Sequence, residues 1–148
     1  MKKRKFAVCG LLTMCITMGL GTSVFAGEPE TRATWDSYFK EDFIGYSTTQ
    51  AHETPMRWKD NDSYHYVMNT SGFNLWVISY DRYYNNRTRG LRAIVPGGEW
   101  FITNSVFEDH GYVRDECRLN ITSATSGVSG YLKGKWSPDS VGSYPVAN

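Results

Sequence analysis

Four arginines and three tyrosines crowd one short polar stretch: Tyr80, Arg82, Tyr83, Tyr84, Arg87, Arg89 and Arg92. Tyrosine and arginine are the side chains that binding hot spots favour. Rings can also stack on a sugar or meet a cation. Arg82, Tyr83, Tyr84, Arg87 and Arg89, together with Tyr131, form the candidate ligand-binding set. The plainer alternative is a solvated loop that does nothing more than keep the surface polar.

Other chemistry leaves fainter marks. The histidines are His52, His65 and His110, and none stands in a His-x-x-x-His pair suited to a metal. His65 lies in an apolar run and reads as a hydrogen-bonded interior residue. His110 follows Glu108 and Asp109, a set able to hold a cation or move a proton, although a solvated loop is the simpler reading. Asp60-Asn61-Asp62 has acidic spacing but lacks the glycine and distal glutamate of a calcium loop. The sequence contains no Gly-x-Ser-x-Gly elbow, Ser-x-x-Lys or glycine-rich phosphate loop. A glycosidase pair of carboxylates would come from distant strands and leave no local pattern. No cofactor and no metal are expected, and an enzyme is not.

The elements that hold these residues begin after a leader. Lys2-Lys3-Arg4-Lys5 is a basic start, residues 6–20 are apolar, and Val24-Phe25-Ala26 is a small-x-small site. This is the pattern of a signal peptide over residues 1–26, cut between Ala26 and Gly27. The apolar run is short for a bilayer span and broken by Gly10, Thr13, Thr17 and Gly19. The expected protein is secreted, extracellular or wall-associated, with no stable membrane insertion after cleavage. All 15 acidic residues lie beyond the leader, which carries four of the 16 basic ones. The remaining chain is therefore acidic overall, and nucleic acid is not an expected partner. Cys9 and Cys15 leave with the leader, so Cys117 has no partner for an internal disulfide. It reads as a small buried hydrophobe, with a reactive thiol or an intermolecular bridge as the sharper alternative.

Residues 27–50 are expected to form an N-terminal arm and first strand, and residues 51–148 the main domain. Trp35, Tyr38 and Phe39 have helical spacing, which suits a short helix or an irregular arm, and residues 43–49 read as a strand. Pro55 marks an edge strand over residues 54–59. Residues 64–80 read as a central hairpin around Thr70-Ser71-Gly72, with Gly72 in the left-handed position, pairing Val67 with Leu75 and Tyr66 with Trp76. Its faces place Trp76 in the interior. A second hairpin is expected around Pro96-Gly97-Gly98, with Gly98 in the left-handed position, pairing Ile94 with Trp100. Cys117, Leu119 and Ile121 share one parity and Arg118 and Asn120 the other; Leu132 and Trp136 likewise oppose Tyr131, Lys133 and Lys135. That period of two means one buried and one wet face. Asp115 breaks the inward parity, so a strand start or bulge is expected there. Pro138 and Pro145 should end ladder pairing and leave the tail frayed. The fold class is all-β, a two-layer antiparallel sandwich or partly open barrel of about seven or eight short strands.

The leader, the Asp60-Asn61-Asp62-Ser63 turn, the Val95-Pro96-Gly97-Gly98 turn and the tail from Trp136 through Pro138-Asp139-Ser140 to Pro145 resemble those of uncharacterised small secreted proteins from Firmicutes. The resemblance covers roughly residues 55–148 and implies compartment and fold, with no activity to carry over. In architecture the chain is more loosely similar to lactococcin 972-type bacteriocins. The expected function is non-enzymatic binding outside a Gram-positive cell, to an extracellular protein or a cell-wall glycan. A bacteriocin-like antimicrobial protein is the alternative, and a cell-wall hydrolase the third.

Overall fold

The structure is a computed structural model, and it describes residues 34–43, 51–128 and 130–147. The leader with its Ala26–Gly27 junction, and most of the expected strand over residues 43–49, lie outside the described residues. None of the described helices is long and apolar enough to cross a membrane.

Two sheets of five strands each pack face to face, as the alternating pattern requires. The first sheet runs β1 (Ser37–Phe43), β9 (Gly130–Ser137), β4 (His65–Asn69), β7 (Gly98–Ile102) and β10 (Val146–Ala147) in spatial order. In the second, β2 (His52–Glu53) and β3 (Arg57–Lys59) both pair with β8 (Asp115–Ser123), followed by β5 (Leu75–Asp81) and β6 (Ala93–Val95). A four-residue helix, α1 (Val106–Asp109), leads into β8. The ten described strands exceed the seven or eight expected: Pro55 lies between β2 and β3 and divides that edge, and β10 is a further strand in the tail. Trp35, Tyr38 and Phe39 are not on a helix: β1 carries Tyr38 outward and Phe39 inward along β9.

Both expected hairpins are instead crossings between the sheets. β4 pairs with β7 and β9, whereas β5 pairs with β6 and β8. Val67 and Leu75 are both fully buried, but in different sheets. The turn after β4 does not need hairpin hydrogen bonds. Asn69, itself buried, donates Nδ2 to the carbonyls of Phe73 (2.8 Å) and Val95 (3.0 Å) and accepts from the Ser71 amide. Thr70 N donates to Lys133 O of β9. These partners satisfy the backbone as the chain changes layer. Gly72 takes the expected positive φ of 73°. Likewise Pro96-Gly97 carries the chain from β6 to β7, with Gly98 at φ 110°. Ile94 therefore sits beside Trp76, not Trp100.

The core contains Phe39, Val67, Leu75, Val77, Ile102, Cys117, Leu119, Ile121, Leu132 and Trp136. The parity read for β8 and β9 holds, although the two strands belong to opposite sheets. Asp115 is the strand start, and it is buried. The tail does not fray at Pro145: Pro145 O accepts from Phe101 N at 2.8 Å, and Val146–Ala147 then pairs with β7 in parallel. A proline lacks an N–H but still offers its carbonyl, so it can open a ladder.

One end of the sandwich is polar inside. His65 is wholly buried and contacts Pro138 O and Ser79 Oγ, each at 2.7 Å. Burial first, then the nearby Lys59 charge, pushes its imidazolium down to about 3. Cys117 is buried, and burial raises its thiol well above the usual range.

Candidate functional site

The loop of residues 82–92 is built by a buried carboxylate. Asp81 ends β5 pointing inward, and its Oδ1 accepts from Tyr83 N (2.8 Å) and Asn85 N (2.9 Å). Burial opposes its charge, but the hydrogen bonds from Asn85, Arg87 and Tyr83 outweigh that and hold the carboxyl below its ordinary value. Arg87 bridges Asp81 Oδ2 and Asp109 Oδ2, each at 2.8 Å. Arg89 reaches Glu108 Oε1 at 2.8 Å and the Asn104 carbonyl at 3.1 Å. Arg82 is paired with Asp115, whose other oxygen lies 3.3 Å from His110 Nδ1. Three of the candidate arginines thus fasten the loop to α1 and β8. His110 likewise borders a structural carboxylate.

The tyrosines separate. Tyr83 is exposed, with the Arg82 guanidinium 5.6 Å from its ring. Tyr84, at φ 63°, is folded back over the second sheet, where Arg118 lies 4.2 Å above its ring and donates to its Oη at 2.6 Å. Tyr131 is exposed on β9 of the first sheet and does not join them.

A different surface assembles around Tyr84: the outer face of the second sheet. Alternation turns Trp76, Ile78 and Tyr80 of β5 outward, beside Ile94 of β6 and Arg118, Asn120 and Thr122 of β8. Trp58 of β3 joins them opposite Glu116. Three arginines cover three rings: Arg92 lies 3.7 Å from the Trp76 centroid, Arg118 over Tyr84, and Arg114 4.5 Å from Trp58. Each such contact contributes about 0.5–1 kcal/mol at an exposed site. Arg114 also reaches Asp60 at 3.2 Å, and Arg118 reaches Glu53 at 3.3 Å. Among the described residues Arg92 has no carboxylate within ion-pair distance. Trp58 (41 %), Ile94 (42 %) and Tyr84 (54 %) stay exposed, giving a flat apolar and cationic platform. Sequence reasoning placed Trp76 inside and so missed this face. The alternation along β5 marks its two faces, and the sheet order decides which of them is outside.

The first sheet offers hollows instead of a platform. A groove of about 530 Å³ is lined by Asp62, Tyr64, Arg89, Phe101, Glu108 and Ser140. A smaller one of about 200 Å³ holds Asp36, Tyr66, Glu99, Lys135 and Tyr144. The ring contacts Tyr64–Phe101, Phe101–Tyr144 and Tyr144–Tyr66 run between them at 5.4, 5.3 and 5.2 Å. Several of their charged groups are already engaged: Glu108 with Arg89, Asp36 with Lys135 at 2.6 Å, while Glu99 accepts from the Tyr66 hydroxyl at 2.6 Å. Ser63 also borders the larger groove, with Oγ 3.2 Å from Lys59 Nζ. Lys59 shares its proton with Asp139 at 2.6 Å, so it is not a free base for that hydroxyl. No group of three His, Cys, Asp or Glu suited to a metal occurs among the described residues.

No curated protein and no solved structure matches the chain. The sequence model of one family, described as protein of unknown function DUF2712, matches residues 22–140.

Proposed function

The chain belongs to the DUF2712 family, and we propose that this member is a secreted, non-enzymatic binding protein whose outer sheet face takes an anionic cell-wall polymer. The observation that carries this reading is the set of three arginines placed over the rings of Trp76, Tyr84 and Trp58. Stacked guanidinium groups keep their N–H edges directed sideways, where phosphate or carboxylate oxygens can accept two bonds at once. The ring and isoleucine surface between them suits the apolar faces of sugar or polyol units. Arg114 and Arg118 each also touch one carboxylate, Asp60 and Glu53, so Arg92 is the least committed of the three; Arg87 and Arg89, which the sequence favoured, fasten the loop to Asp81, Asp109 and Glu108 and support the scaffold.

The test is co-sedimentation of the chain from Gly27 onward with purified Gram-positive walls, with and without their teichoic acid. Retention by intact walls, weakened by salt and lowered about tenfold in Arg92→Ala/Arg118→Ala, is the expected result, a loss of roughly 1.4 kcal/mol. Equal retention by stripped walls, or none by either, would remove the anionic-polymer reading. Growth inhibition of related cells by the same preparation would favour the bacteriocin-like alternative.

A further inference from the structure

We propose that Lys59 and Asp139 condense spontaneously into an intramolecular amide cross-link that ties the two sheets together. Lys59 ends β3 of the second sheet, and Asp139 lies two residues beyond β9 of the first. Their side chains meet at 2.6 Å, Nζ to Oδ1, and both are fully buried. The surroundings are arranged around the carboxyl. Asp60 N donates to Asp139 Oδ2 at 3.0 Å. Ser63 Oγ stands 3.2 Å from Nζ and 3.4 Å from Oδ1, held there by the Ser140 amide at 3.0 Å. Ser63 N in turn donates to Asn61 Oδ1 at 2.8 Å.

As an ion pair this contact is a poor source of stability, because two desolvated charges barely recover their hydration. The same desolvation favours transfer of the proton from nitrogen to oxygen. Burial pushes the Lys59 ammonium below its ordinary value, with Asp139 opposing. A buried neutral lysine is a competent nucleophile.

The step balances within the pair. One proton passes from Nζ to Oδ1, leaving an amine and a carboxylic acid. The Nζ lone pair attacks Cγ, forming the Nζ–Cγ bond, and the charge on Oδ2 faces the Asp60 amide, which acts as its oxyanion donor. Nζ then gives up a second proton, and the Ser63 hydroxyl relays it to Oδ1. The Cγ–Oδ1 bond breaks and that oxygen leaves as water. The product is a secondary amide whose carbonyl oxygen, Oδ2, keeps the Asp60 hydrogen bond. No oxidant, reductant or cofactor takes part. The link closes an 80-residue separation and restricts the unfolded chain as a long-range disulfide would, in a protein whose described residues contain one buried cysteine.

The experiment is intact-mass spectrometry of the folded, then denatured, chain from Gly27 onward. The expected mass is lighter than the sequence by one water, and a digest should give one branched peptide joining Lys59 to Asp139. Lys59→Arg and Asp139→Ala should restore the full sequence mass, a reading that does not require either variant to fold. Asp139→Asn should instead lose ammonia. Wild-type chain at full sequence mass after folding at neutral pH would overturn the proposal. So would a water loss that maps to a linear peptide.

Discussion

Gly134 of β9 lies flat against the ring of Phe39 on β1, its direct partner in the ladder. A methyl group on Gly134 would overlap that ring and the Met68 carbonyl oxygen on the other side. Gly134→Ala should destabilise the fold by about 1–3 kcal/mol, the usual cost of overpacking. A urea midpoint equal to wild type would show that β1 can lift from β9 without loss.

Two tryptophans should respond differently to truncation. Trp136 is wholly buried between the sheets, so Trp136→Ala should cost about 3–5 kcal/mol. Trp76 is half-buried on the outer face, with Arg92 above it. Trp76→Ala should cost about 1–2 kcal/mol, a loss of partial burial and one cation–π contact. It should also weaken retention on walls. Chemical denaturation of both variants separates these, and equal losses would return Trp76 to the core.

Acid should weaken the protein through His65. The His65 imidazolium falls from an ordinary 6.5 to about 3 on folding. The unfolded chain therefore takes up a proton below pH 6.5 while the native protein does not. His65 favours the folded state fully above its unfolded value, and that advantage is lost as pH falls towards 3. The slope approaches about 1.4 kcal/mol per pH unit. Asp81 and Asp109 have lowered carboxyls, whose contribution is present above their ordinary 3.8 and is lost as pH falls below it, so the His65 contribution is to be read from 6.5 down to about 4. Urea midpoints across that window should decline in wild type and flatten in His65→Gln. Parallel slopes would contradict the assignment.

Arg87 tests scaffold against ligand contact. It is one-quarter exposed and binds the nearly buried Asp81. Arg87→Ala should lower stability by about 1–3 kcal/mol by removing a charged hydrogen-bond partner and leave wall retention per folded molecule unchanged. A selective loss of retention at unchanged stability would return the binding surface to this loop.

Much of the local structure was legible, because a strand declares itself by period. Cys117, Leu119 and Ile121 read as one buried face, and Gly72 and Gly98 as left-handed positions. What period two does not carry is the identity of the neighbouring strand. A sheet-crossing turn and a hairpin turn use the same glycine, so residues 64–80 read as paired when Asn69 had already supplied the bonds that let the layers part. Buried charges were equally silent. Lys59 looks like any polar residue at an edge, and the reason it can enter the interior is Asp139, on the far side of the sequence. The platform was missed for a related cause: aromatic residues on β5 suggest burial by composition, and only the sheet order shows which parity faces solvent.

The placement of β9 bears on when the protein can acquire its shape. Among the described strands β1 pairs with β9 alone, and β4 has β9 as one of its two neighbours. β2 and β3 similarly wait for β8. A chain emerging N-terminus first would leave β2 and β3 without their partner until β8 was made, and β1 until β9 was made, since such distant pairings close slowly. For the secreted protein proposed above, that delay is useful. A polypeptide whose first strand stays unpaired until β9 has been synthesised would remain loose enough to be threaded through a membrane channel.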